Sequence, residues 1–226
     1  MKSPKTIAAG ATVLAAPVGP LPIEQITPLL GGISPETFMR RYWQKRPLLI
    51  RQAVPGMNSP IERSKLFALV AQDDVESRLI VRAHAAGSGE AKQGRGKKGV
   101  SAPGQWQLGH GPFTRRSLPP LEQPGWTLLV RGLDLHVPAA YDLLQQFRFV
   151  PDMRLDDLTI SYATDGASVG PCHDGCDMFL LQVHGQRCWR IGPLTDARLQ
   201  DDVPLKILTH FSAEQEHVLE PGDMLY

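Results

Sequence analysis

Cysteine is scarce in these 226 residues: three occur, at 172, 176 and 188. Three cannot close an even-numbered disulfide framework, and a chain of this length can bury a core without one. A reducing, cytoplasmic setting is therefore expected. Charge of one sign is also lacking, because 24 Lys and Arg stand against 23 Asp and Glu, a formal net charge of +1. No global attraction to nucleic acid or to an acidic substrate arises from that balance. Long hydrophobic runs are absent too, and nothing approaches the roughly 20 apolar residues of a membrane span.

What is plentiful is turn chemistry. Twenty prolines and 21 glycines point to short elements and many turns, which favour a mainly β or α+β fold over a helical bundle. Residues 1–27 read as a flexible tail; the lysines at 2 and 5 and the weakly apolar run behind them only loosely imitate a secretory signal, with Gly10 and Pro17 interrupting it. Ser34 then offers an N-cap with Pro35 behind it, and Phe38, Met39, Tyr42 and Trp43 form a helical core stripe expected to end near Arg46, before Pro47. Residues 48–50 read as a strand. Ser59 and Glu62 have capping-box spacing for a helix burying Leu66, Phe67, Leu69 and Val70.

A strand is expected over 77–83. Residues 84–104 hold six glycines, three lysines and an arginine with almost nothing to bury, the composition of a disordered basic insertion. Order is expected to return over 105–108, with a central strand over 126–131, then a helix from Pro138 to Phe147 burying Tyr141, Leu143 and Leu144. From residue 157 onward strand-like segments crowd together: LTISYA, DMFLLQVH, RCWRIGPL, LKILTH, EHVLE and DMLY. Short strands at such spacing suggest a barrel or sandwich.

Chemistry concentrates in the middle of that series. Cys172, His173, Asp174, Cys176 and Asp177 fall within six positions, and Arg187 lies on the next strand. In an extended chain alternate residues share a face, so Cys172 and Asp174 point one way and His173 the other. Non-haem iron oxygenases use two imidazoles and one carboxylate on one face of the metal. Here the i, i+2 pair ending at the carboxylate is cysteine and aspartate. A thiolate suits zinc or copper better than Fe(II), which leaves two routes open: His173 enters through a bulge, or iron binds poorly. A zinc site from Cys172, His173, Cys176 and Cys188 lacks the usual paired C-x-x-C spacing. Of the later histidines, His217 reads as an exposed strand residue.

The stretch SYATDGASVGPCHDGCDMFLLQVHGQRCWRIG, with PLLIR at 47–51 and LEPGDMLY at 219–226, resembles the JmjC-type, cupin-fold ribosomal oxygenases, in particular bacterial ribosomal-protein arginine hydroxylases. The resemblance runs from about Pro28 to the end, excepting the basic insertion. It implies a double-stranded β-helix (cupin/jelly-roll) barrel with N-terminal helices over 28–226, its C-terminal part missing, and an Fe(II)- and 2-oxoglutarate-dependent dioxygenase hydroxylating a ribosomal-protein side chain. On this resemblance Asp174 falls on the carboxylate ligand, Cys172 on the first histidine ligand with His173 as the alternative, and Arg187 on the residue binding the distal carboxylate of 2-oxoglutarate. Arg187 is expected on a strand antiparallel to the one after Asp174. The family's last histidine ligand would come after the Pro221-Gly222-Asp223 turn, beyond Tyr226. The family's dimer-forming region is not represented, and no membrane or direct nucleic-acid site is implied. The alternative is a non-catalytic cupin module.

Overall fold

The computed structural model describes residues 23–82 and 106–226. The basic insertion expected at 84–104, and the tail as far as residue 22, lie outside the described residues. Residues 23–27 are tied to the segment around the first helix, since the Ile23 carbonyl accepts from the Glu36 N–H and Thr27 bridges to Ile33.

Helix α1 (Pro35–Arg41) begins as its sequence dictates: the Ser34 hydroxyl accepts from the Thr37 N–H at 3.2 Å and Pro35 occupies the first turn. It ends at Arg41 rather than near Arg46, and Tyr42 and Trp43 pack from the turns beyond it. Ser34→Ala removes the cap and is expected to cost about 1 kcal/mol, read as a lower urea midpoint at unchanged slope. Strand β1 (Leu49–Ile50) comes next. Helix α2 (Arg63–Leu69) starts later than the capping-box spacing implies. The Ser59 hydroxyl is spent on the Ile61 carbonyl at 2.7 Å, and Glu62 is an N-cap without a side-chain bond. Ile61 is buried, which holds that segment out of the helix.

Strands β2 (Ser77–Arg82), β3 (Trp106–His110), β4 (Trp126–Val130) and β5 (Ile160–Ala163) form an antiparallel sheet in the order β3-β2-β4-β5. β4 is apolar apart from Thr127, which is itself buried, because both faces are covered. Trp126, Leu128 and Val130 pack against Leu66, Leu69 and Val70 of α2 and its end, and against Leu133. Leu129 faces the other way, toward Ile80, Trp106 and Ile207. Between β4 and β5 lie α3 (Leu133–His136) and α4 (Pro138–Gln145). α4 buries Ala140 and Leu143, while Tyr141, one residue round the helix, is half exposed, contrary to expectation.

The remaining strands are β6 (Leu180–Leu181), β7 (Arg187–Ile191), β8 (Gln215–Leu219) and β9 (Met224–Leu225). They build a sheet β1-β9-β6 and a pair β7-β8, all antiparallel. The LKILTH segment forms no strand; an isolated Leu199–Leu208 bridge and Ile207 in the core are its contribution. A second core surrounds Phe38, whose ring meets Tyr226 edge-on at 4.8 Å and Phe179 at 5.7 Å. No helix among the described residues is long and apolar enough to cross a membrane.

Candidate active site

Alternation along β7 decides what faces inward. Arg187, Trp189 and Ile191 are partly covered, whereas Cys188 and Arg190 between them are exposed. The same rule on β8 turns His217 inward with Leu219, and the register sets Arg187 opposite Leu219 and Trp189 opposite His217. His217 is thus half-buried and not the exposed residue the sequence suggests; the alternation in Glu216-His217-Val218-Leu219 carried that signal.

Arg187 is held from two sides. One guanidinium nitrogen donates to the Ser161 hydroxyl on β5 at 3.2 Å, and the guanidinium carbon lies 4.8 Å from the Trp189 ring centroid. Ser161 pairs in register with Leu129, which places it on the face of the large sheet that looks toward Ile80 and Ile207. Burial pushes the Arg187 pKa below the ordinary guanidinium value, and among the described residues no acidic side chain forms an ion pair with it. A desolvated cation with only a hydroxyl and a ring face for company is costly. An incoming carboxylate, bound by the planar fork, relieves that cost.

The strand expected before Arg187 is elsewhere. β7 pairs with β8, and β6 pairs with β9 instead. Residues 182–186 cross between sheets: Gln182 bonds through both its N–H and its carbonyl to the Gly222-Asp223 turn, and Gly185 adopts φ 64°. Arg187 therefore reaches the inner face from a strand of the opposite sheet.

The ligand-type cluster lies on the connection from β5 to β6. Gly170 has φ 80°, and a Cβ there would stand 3.0 Å from the Ile207 side chain, so this approach requires glycine. The Leu208 N–H then donates to the Pro171 carbonyl at 2.8 Å. Beyond this anchor Cys172, His173, Asp174, Cys176 and Asp177 are all exposed. The Cys172 thiol is nonetheless partly covered: burial, with the Asp174 carboxylate adding to it, pushes its pKa up. His173 has no hydrogen-bond partner among the described residues. Cys188 stands on the outer face of β7, across from Val218.

These residues fit the two groups of an iron oxygenase unequally. Arg187 with Ser161 and Trp189 suits a dicarboxylate. Toward a metal, the residues on offer are the Asp174 carboxylate and the Cys172 thiol, which burial holds toward its protonated form whereas a metal takes the thiolate. No cluster of three or more His, Cys, Asp or Glu able to hold a metal ion occurs among the described residues.

Residues 142–226, from α4 through β9, match the JmjC domain family. This part of the chain is similar to a JmjC domain. Ribosomal protein uL16 3-hydroxylase of Escherichia coli (strain K12) is 35% identical over 191 residues, covering 84% of this chain and 45% of that relative. The probable ribosomal oxygenase of Haemophilus influenzae is 30% identical over 204 residues, covering 86% of this chain and 44% of its own length. An X-ray structure of E. coli ycfD superposes with a TM-score of 0.71 at 31% identity, over 84% of this chain and 46% of that one. YcfD in complex with cobalt and 2-oxoglutarate superposes at 0.68 with 31% identity, over 89% of this chain and 46% of that one. The chain spans somewhat under half the length of these relatives. Its JmjC domain has the β-rich cupin fold, and both the ligand-type cluster and Arg187 lie inside it.

Proposed function

We propose that this chain belongs to an Fe(II)- and 2-oxoglutarate-dependent oxygenase that hydroxylates an arginine side chain of a ribosomal protein. Arg187 carries the reading: a desolvated, acid-free guanidinium on the inner face of a JmjC domain, oriented by Ser161 and backed by Trp189. It binds the distal carboxylate of the cosubstrate. Asp174 holds the metal, with Cys172 on the same side of the loop and His173 as the alternative donor. Fe(II) and 2-oxoglutarate, when bound, would supply the oxidising chemistry with dioxygen, the cosubstrate leaving as succinate and carbon dioxide and one oxygen atom going to a C–H bond of the substrate. The protein's own part is to position the cosubstrate by its distal end and keep water from the Arg187 side of the pocket. The uL16 hydroxylase relative supports a ribosomal substrate. Charge agrees with a basic partner, since residues 151–226 contain 13 acidic and 5 basic side chains.

The shortage of metal donors among the described residues favours a second reading, a non-catalytic cupin module that keeps the cosubstrate pocket. One experiment separates the two. The protein is incubated in air with Fe(II), 2-oxoglutarate and uL16, and the substrate is analysed by mass spectrometry. Gain of one oxygen on an arginine is the expected result; cosubstrate binding with no gain of mass would leave the module reading in its place.

A further inference from the structure

The hydroxyl of Tyr226 is a junction between distant parts of the chain. It accepts from the Gln44 backbone N–H at 2.8 Å and donates to Asp177 Oδ1 at 2.8 Å, while Asp177 Oδ2 accepts from Gln44 Nε2 at 3.2 Å. The result is a closed ring of three hydrogen bonds linking the turn after α1, the residue after β9 and the loop before β6. Gln44 adopts φ 55°, a left-handed conformation that a residue with a side chain keeps only where its surroundings enforce it. The Tyr226 ring is clamped by Phe38 at 4.8 Å, Phe179 at 5.0 Å and Trp43, stacked at 6.0 Å. Burial pushes the Tyr226 pKa up to about 12, so its hydroxyl remains a donor at neutral pH.

Residues 172–178 have few other ties. Among the described residues, the bonds made by Asp177 are the only hydrogen bonds from this segment to the rest of the chain. It is anchored at one end by Leu208 on Pro171 and at the other by Asp177, with Cys172, His173 and Asp174 between the two.

We propose that Asp177, gripped by Tyr226 and Gln44, is a positioning residue that fixes the loop bearing Cys172 and Asp174. Its meaning for the reaction rests on reading that loop as the metal-facing segment; the tether itself stands on the distances alone. Released at Asp177, the loop loses its anchor at that end, and the partly covered Cys172 thiol becomes more accessible to reagent. The readout is the alkylation rate of each cysteine with iodoacetamide, resolved by mass spectrometry. Tyr226→Phe, which keeps the clamped ring, and Asp177→Ala, a change at an exposed position, should each speed labelling of Cys172 about tenfold, the population shift that ~1.4 kcal/mol brings. Cys188, on the rigid strand β7, should keep its wild-type rate. Asp177→Asn should stay near wild type, because the Gln44 amide can rotate to offer its oxygen to the new amide nitrogen. An unchanged Cys172 rate in both variants, equal acceleration of Cys188, or an asparagine variant as fast as the alanine would each overturn the proposal. The labelling needs neither metal nor cosubstrate, so a failure to hydroxylate uL16 would leave it intact.

Discussion

Arg187→Ala will cost the protein about two orders of magnitude or more in affinity for 2-oxoglutarate, read by isothermal titration calorimetry. Truncating one partner of a desolvated charge pair costs roughly 2–5 kcal/mol, and every 1.4 kcal/mol is about a factor of ten. Among the described residues no acidic side chain pairs with Arg187, so none competes with the ligand's carboxylate for its fork. Its fork is also pre-set by the Ser161 hydroxyl at 3.2 Å. Arg187→Lys keeps the charge but loses the planar pair of donors and the stacking on Trp189, so about a tenfold loss is expected. Ser161→Ala should fall between wild type and lysine. Unchanged binding in the alanine variant would remove Arg187 from the site, whatever the fold relationship.

Asp223→Ala should be the most damaging turn substitution for stability, lowering it by about 3 kcal/mol in urea unfolding. The buried Asp223 carboxylate accepts from the Arg51 guanidinium at 2.5 Å, the Gln52 N–H at 3.0 Å and the Glu220 N–H at 3.1 Å. Its neighbour Gly222 donates to the Gln182 carbonyl at 2.9 Å and accepts from the Val54 N–H at 3.1 Å. The turn thereby pins β1, β6 and β9 together. Arg51 is 55% exposed, so solvent screens its share, and most of the loss comes from the stranded backbone donors.

The same carboxylate makes stability depend on pH. Burial alone would raise the Asp223 pKa, but the Gln52 and Glu220 N–H groups, and then Arg51, outweigh it and hold the value below the ordinary carboxylate range. A depressed folded-state pKa contributes stability that is present above the unfolded value, near 3.9, and is lost as pH falls through the folded one. Wild type should therefore lose stability below about pH 4. The alanine variant, which has no carboxyl to protonate, should lose less over the same interval.

Local physics made much of the fold readable. The Ser34 cap and the strands at 77–82 and 126–130 stand within a residue of where propensity and alternation put them, because each is decided within a few neighbouring residues. The capping box at Ser59 failed where burial of Ile61 competed with it, and Tyr141 failed because a helix period does not say which stripe meets the core. In the site, the motif around Gly170-Pro171 and Arg187 was legible as a family resemblance, and the match to the JmjC domain family bears that resemblance out. The strand beside Arg187 was not legible: it is β8, not the β6 that precedes it in the chain.

By itself, then, the sequence determined the turn-rich β character, the start of α1 set by its Ser34 cap, and the clustering of Cys172, His173, Asp174 and Arg187 in one JmjC-type segment. Tertiary structure decided that β7 lies against β8 rather than β6, that His217 faces inward opposite Trp189, and that Tyr226, Gln44 and Asp177 close on one another across 182 and 49 residues of chain. The physical reason is the range of the interactions. Caps and alternation act between neighbours, whereas pairing and tethers depend on which distant surfaces bury each other, and no local pattern records that.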